Sequence, residues 1–463
     1  MHGGFPMEVL TIATPGLGDM SYLLVHEGFG VLVDPQRDVE RFLSAAEDRD
    51  VELRWVLETH LHNDYISGGR EAAARSGSEL VLPAGAGAAF EHTPAFHGEE
   101  LGTDRISIRP LHTPGHTPEH VSYLVAIEGD PVAVFSGGSL LVGSAGRTDL
   151  LGRTRARQLA RLQWGSIGRL ASLPESVGLY PTHGAGSFCT AAVAGPSTST
   201  IGAEQKSNPA LAHSDAESFA DDQLSGLEPY PVYYAQMGPI NLNGPTPLEY
   251  GEIPELGPAA LAEILDSVTV VDGRPKDAYA AGHIPGSFGI EANQDFATWV
   301  GWLVPFNAPL VLILDSERDL EEARLALGRI GFEDVRGWLR GLDQWRDDSR
   351  PILSHETLTA RDFLEEFDTG TEMQVLDVRS PGEWNDGYLA DSIHCYLPDL
   401  VSSTPSQLDP SRPVYIGCAT GHRASTAAGI LGERGFQPKV MVGASLLGVL
   451  MLLEQRRLAD SQA

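Results

Sequence analysis

The sequence predicts an α/β protein built of three domains. Three observations carry this. The chain has 463 residues, about three domains' worth at ordinary domain sizes. Its first 228 residues alternate strand-like and helix-like runs. The remainder holds an internal duplication that recurs after about 100 residues, too long for a solenoid unit and suited to two copies of one domain. Hydrophobic residues make up 42% of the chain, enough for ordinary buried cores.

In the first domain, strands are expected at Ser21–Val25, Gly30–Asp34, Arg54–Thr59, Leu80–Pro83, Arg105–Pro110, His120–Ile127 and Val132–Ser136. Each is a short β-branched or apolar run. Helices are expected at Val39–Glu47 and Arg155–Leu173. Polar chemistry gathers where the strands end, as in α/β architectures. Seven prolines between Pro229 and Pro258 disfavour regular structure and mark residues 229–254 as a connector. Beyond it, Val270–Ser287 aligns with Val375–Ser392: Asp272 and Arg274 match Asp377 and Arg379, and Gly282 matches Gly387, at a constant spacing of 105. Each copy reads as strand, turn, helix, strand, loop, helix, which implies a small parallel sheet. The two copies are placed at 255–350 and 355–460.

Charge and composition exclude several classes. There are 63 acidic and 32 basic side chains, a formal net charge of −31. That argues against a nucleic-acid or anionic-membrane binder, whose partners require basic surface. Three cysteines, Cys189, Cys395 and Cys418, do not make a disulfide framework. No run reaches the roughly 18 apolar residues of a membrane span, and the first residues lack a basic region followed by an apolar core. The expectation is a cytoplasmic protein, assembled as a homo-oligomer.

Three histidine-bearing turns follow three strands. They are His60-Leu-His62-Asn-Asp64-Tyr65, His112-Thr-Pro-Gly-His116-Thr-Pro-Glu-His120 and Pro181-Thr-His183. One histidine alone reads as a core or surface residue. Three such turns at strand ends read as ligands converging on a metal ion, since neutral imidazole is the commonest metal ligand.

These motifs resemble the metallo-β-lactamase fold superfamily. His60-x-His62-x-Asp64 matches its first ligand motif, His116 in TPGH the second and His183 the last. The resemblance covers residues 8–225 and implies an αββα sandwich with His60, His62, Asp64, His116 and His183 as candidate ligands. VDPQRD (Val33–Asp38) and GRTDL (Gly146–Leu150) make it similar to the persulfide dioxygenase branch, whose members often carry rhodanese domains. That branch implies mononuclear Fe(II), with Zn(II) as the alternative. It also implies a facial triad of His60, His116 and an acidic residue, but Gly138 stands at that third position. Asp64, His62 or water would then complete the shell. Tyr65 replaces a histidine of the binuclear hydrolases and is expected, with Arg147, to contact substrate. Cys189 is expected to be a buried, inert thiol near the pocket.

In the last domain, the apolar run Val414–Gly417 ends at Cys418-Ala-Thr-Gly421-His-Arg423, where a helix begins. Such a loop aims backbone N–H groups at the sulfur, and the helix terminus and Arg423 favour the thiolate. Gly421 permits a positive φ or a close backbone approach. The motif C-x-x-G-x-R, with DVRSPGEW upstream, resembles the active-site loop of rhodanese sulfurtransferases. The resemblance implies that Cys418 carries sulfane sulfur as a persulfide. The middle copy has Leu314 or Asp315 where the cysteine should be, and is read as a silent rhodanese-like domain acting as spacer or docking platform. Cys395 is read as packing.

The expected chain is thus a metallo-β-lactamase αββα sandwich followed by two rhodanese-like α/β domains with parallel sheets. Its expected function is oxidation of a low-molecular-weight persulfide, such as glutathione persulfide, to sulfite with O2. Cys418 would exchange sulfane sulfur with thiosulfate or sulfite. Two alternatives remain: a zinc-dependent thioester hydrolase of the glyoxalase II type fused to rhodanese, and a sulfur relay whose metal domain is degenerate.

Overall fold

The computed structural model describes residues 7–102, 105–189, 195–249, 251–370, 372–443 and 445–460. Residues 1–6, on which the signal-peptide expectation falls, lie outside them. The chain divides into two compact units: Met1–Tyr250 with Gly328–Gly331, and Gly251–Leu327 with Phe332–Ala463. Among the described residues, no helix is long and apolar enough to cross a membrane.

The first unit is the expected sandwich. One six-stranded sheet runs Glu8–Thr14, Asp19–His26, Phe29–Val33, Glu52–Leu57, Glu79–Pro83 and Thr93–Ala95 in spatial order. The other runs Ser199–Thr200, Gly178–Pro181, Asp130–Gly137, Val121–Ile127, Ile106–His112 and Leu101–Gly102. Strand alternation explains the layering. Tyr22, Leu24, Val31 and Val33 face Ile108, Tyr123, Val125 and Phe135 between the sheets. Their neighbours Leu23 and Leu32 face outward and meet Phe42 and Ala72 of the helices Glu40–Glu47 and Gly69–Ser76. On the far side, Ala160, Ile167 and Leu170 of the helix Arg153–Ala171 pack on Leu124, Val134 and Leu179. The ends of Glu52–Leu57 and Gly178–Pro181 and the turn His112–Val121 carry the histidine segments, and the end of Asp130–Gly137 brings Gly138 beside them.

The proline-rich segment departs from expectation. Tyr234–Asn243 forms a helix despite Pro239 in its interior. Proline removes one intrahelical hydrogen bond, but the helix buries Tyr234, Met237 and Asn241. The Asn241 amide donates to the carbonyls of His62 and Tyr65, both at 2.8 Å, and its oxygen accepts from Ser67 N at 2.9 Å. Part of the expected connector therefore braces the first histidine loop.

In the second unit, both copies build parallel sheets of one topology. The first orders Phe288–Gly289, Thr269–Asp272, Leu310–Leu314 and Val335–Arg340. The second orders Ile393–His394, Gln374–Asp377, Pro413–Gly417 and Gln437–Met441, with Glu356–Leu358 added at the edge. The repeated Asp-x-Arg is a buried clip. Arg274 donates to Asp272 at 2.8 and 2.5 Å and to Gly282 O at 2.9 Å. Arg379 repeats it with Asp377 at 2.6 Å and Gly387 O at 2.7 Å.

Candidate functional sites

Three histidines converge at one end of the sandwich. His60, His116 and His183 each offer a ligand atom within 4.8 Å of the others, and all three are buried. In each, one ring nitrogen is engaged by a neighbour. Thr59 Oγ1 donates to Asp34 Oδ2 at 2.7 Å and so accepts from His60 Nδ1 at 2.8 Å. The carbonyl of Arg147 accepts from His116 Nδ1 at 2.8 Å. Asp19 Oδ1 accepts from His183 Nδ1 at 2.9 Å, with Asp64 Oδ2 at 3.2 Å. This fixes the tautomers and leaves each Nε2 with a lone pair, the arrangement that orients metal-ligating histidines. Burial, and then neighbouring histidines, hold His60 and His116 well below the ordinary imidazole range, so they stay neutral. Burial lowers His183 as well, against the pull of Asp64.

His116 Nε2, His62 Nδ1, Asp64 Oδ1 and Asp19 Oδ2 are buried without hydrogen-bond partners. Unpaired buried polar atoms are costly, and a cation bound between the three histidines would remove that cost for His116 Nε2. The residues therefore fit a metal ion; the donor set alone does not choose between iron and zinc.

His62 sits differently. Its Nε2 lies 3.1 Å from Glu58 Oε2 and 3.4 Å from Asp34 Oδ1. Burial opposes its charge, but these carboxylates hold it well above the ordinary range. Asp34 is the hub of this end. Burial works against its charge, yet His62, Thr182 and Thr59 keep it below the usual carboxylate range. Burial pushes Asp19 up to about 8 and, with Asp19 beside it, Asp64 up to about 6.

In the second unit, the strand Pro413–Gly417 ends at Cys418 and the helix His422–Glu433 begins four residues later. Gly421 has φ +97°, which turns its N–H to donate to Cys418 Sγ at 3.1 Å. Arg423 donates to Glu383 at 2.5 and 2.7 Å. Although burial opposes it, Glu383 and Cys418 raise the Arg423 guanidinium above its ordinary range. Beside this helix start lies a cleft of about 470 Å³, lined by His422 and Arg423 and, from the first copy, Lys276, Glu291 and Trp299.

Residues 15–183 match the metallo-beta-lactamase superfamily, and residues 257–348 and 359–444 match the rhodanese-like domain. A probable metallo-hydrolase of Burkholderia pseudomallei is 31% identical over 217 residues, covering 38% of this chain and 72% of that protein. The chain belongs to the metallo-beta-lactamase superfamily. A hydroxyacylglutathione hydrolase of Methylobacillus flagellatus is 32% identical over 164 residues, 35% of this chain and 60% of that one. One from Acidiphilium cryptum is 34% identical over 126 residues, 27% of this chain, which spans only half of that protein. A solved metallo-beta-lactamase from Staphylococcus aureus is 28% identical with a TM-score of 0.66, covering 72% of this chain and 99% of that one.

Within this superfamily framework, Gly138, Tyr65 and Arg147 are all buried at this end of the sandwich. Gly138 offers no ligand, and a Cβ there would stand 2.2 Å from His116 Cδ2. The two-histidine, one-carboxylate set is therefore not present at that position. Tyr65 is fully buried, its hydroxyl 3.1 Å from His62 Nε2 and 3.3 Å from Asp34 O. It packs within the loop and hydrogen-bonds to it. Arg147 is also buried; it donates to Asp149 at 2.8 and 2.9 Å and to the carbonyls of Phe188 and Glu228. The GRTDL motif thus pairs Arg147 with Asp149 and presents the carbonyl that holds His116.

His120 has both ring nitrogens engaged, by Thr113 Oγ1 and Gly138 N, each at 2.9 Å. Cys189 is buried with Sγ 3.4 Å from Asp64 Oδ2, and burial raises its thiol well above the ordinary range. In the middle copy, strand register decides the open choice. Asp272 pairs with Ile313 as Asp377 pairs with Gly417, so Leu314 is the counterpart of Cys418. Leu314 is buried, and the next helix starts at Glu317, one residue earlier than in the last copy. Asp19 and Glu383 were not foreseen. Neither lies at a spacing that signals its partner, and both meet those partners only through the fold.

Proposed function

We propose that this protein is a sulfane-sulfur enzyme that oxidises a low-molecular-weight persulfide in its metallo-beta-lactamase domain and carries sulfane sulfur on Cys418. The observation that supports it best is the Gly421 N–H directed at Cys418 Sγ at a helix N-terminus. A thiolate there attacks the outer sulfur of thiosulfate. The new S–S bond forms on Cys418, the old one breaks, and sulfite departs with the electron pair. The product is a Cys418 persulfide anion, and the same amide that faced the thiolate can donate to it. Arg423 acts through its grip on Glu383, which ties the helix start to the helix Pro381–Asn385.

For the first domain, a bound ferrous ion would supply a place where dioxygen and a persulfide sulfur meet. The chain's own residues hold the imidazoles through Thr59, Arg147 and Asp19, and bury the site. The VDPQRD and GRTDL segments support the persulfide reading. Relatives named for hydroxyacylglutathione hydrolysis support a second reading, a zinc-dependent thioester hydrolase.

The test is direct. Thiosulfate labelled in its outer sulfur should label the protein stoichiometrically, and Cys418→Ser should remove the label. Iron-loaded protein should consume O2 and release sulfite from glutathione persulfide. Zinc-loaded protein that instead cleaves an acylglutathione thioester would replace the oxidative reading with the hydrolytic one.

A further inference from the structure

We propose that His60, His116 and His183 form a charge-neutral three-histidine cation site, in which His183 takes the place of the carboxylate that position 138 lacks. This rests on the reading that the first unit holds a metal, and it deepens that reading by naming the ligands and the kind of molecule they favour.

The geometry is specific. His60 Nε2 and His183 Nε2 lie 3.4 Å apart. With both Nδ1 atoms donating elsewhere, two lone pairs face each other at that distance. Such a contact is repulsive unless a cation lies between them. Two nitrogens bound tetrahedrally at about 2.0–2.1 Å stand about 3.3 Å apart, which matches. His116 Nε2, buried and unpartnered, completes the set.

His183 also belongs to a second possible cluster with His62 and Asp64. However, its Nδ1 is already held by Asp19 and Asp64, and only its Nε2 faces His60 and His116. Asp64 and Asp19 therefore act on His183 from behind. The volume at Gly138 belongs to the His116 ring, so no carboxylate can enter there without displacing a ligand.

The missing charge has a chemical consequence. A carboxylate would offset half of a divalent cation's charge, whereas three imidazoles offset none. The exchangeable position therefore favours an anion, such as a thiolate or persulfide sulfur, over a neutral carbonyl.

The experiment adds cobalt(II) to the purified full-length protein. Absorption-edge fine structure should show three imidazoles and no protein carboxylate. Glutathione should then add a sulfur-to-cobalt charge-transfer band that acetate does not. His183→Ala should weaken cobalt binding at least 100-fold, and Asp19→Asn 10- to 100-fold, as for other residues that orient a ligand. Gly138→Asp should not tighten binding. Circular dichroism and thiosulfate labelling of Cys418 report that each variant is folded. Unchanged affinity in folded His183→Ala, tighter binding in Gly138→Asp or no thiolate band would overturn the assignment. Failure of the wild-type protein to bind cobalt would overturn the metal reading itself.

Discussion

At Gly138 a missing side chain and a neighbouring ring occupy the same few ångströms. His116 lies where a Cβ would point, so the ligand set at this end depends on what is absent as much as on what is present. At Cys418 a backbone amide, the N–H of Gly421, faces the side-chain sulfur. Replacing it with serine keeps the shape but removes the sulfur nucleophile, so thiosulfate labelling should vanish while thermal stability changes little. His355 carries a pH prediction. Burial, and then His283, lower its imidazole to about 4, against about 6.5 in an unfolded chain. Its folded value lies below its unfolded one, so the unfolded chain takes up the proton first as pH falls. Stability is complete above about pH 6.5 and declines toward pH 4, by at most about 3 kcal/mol from this group. Urea unfolding of His355→Leu should show a shallower decline over that window; an identical slope would remove His355 from the account.

At the scale of elements, the Asp-x-Arg clip recurs in both copies because it closes the turn after the first sheet strand onto a glycine carbonyl eight residues on. Arg379 and Asp377 are almost wholly buried. Arg379→Met strands a carboxylate, and breaking such a pair costs about 3–5 kcal/mol. Thermal unfolding should show a loss of that size, whereas a loss under 1 kcal/mol would mean that water reaches Asp377. The helix Tyr234–Asn243 makes a second element-scale prediction. Asn241→Leu removes two donors from the carbonyls of His62 and Tyr65 and one acceptor from Ser67 N. The loop that carries His60 and His62 should loosen, weakening cobalt affinity about 10-fold with little change in Cys418 labelling. Periodicity could not foresee this helix. Its prolines point away from regular structure, and its burial comes from contacts with residues about 175 positions earlier in the chain.

For the whole molecule, the histidine cluster and the Cys418 loop belong to separate compact units. Chelation of metal from the first unit should leave thiosulfate labelling of Cys418 intact. Loss of label on chelation, measured on the full chain, would mean that sulfur transfer itself needs the metal. The middle copy keeps the sheet and the buried clip but has lost the nucleophile. Leu314, in the register of Cys418, is a core residue of its strand.

Short-range signals determined the strands and helices, the duplication, the histidine turns and the cysteine loop. Each depends on alternation or on a motif a few residues long, and local sterics and turn chemistry act over that range. The partners of those residues were decided by tertiary structure. That His183 leans on Asp19, that Arg423 is held by Glu383, and that Tyr65 and Arg147 are buried supports depends on distances between segments far apart in sequence. The same holds for the His116 ring filling the space at Gly138. Such contacts arise only when sheets pack and strand ends meet, so no local pattern encodes them.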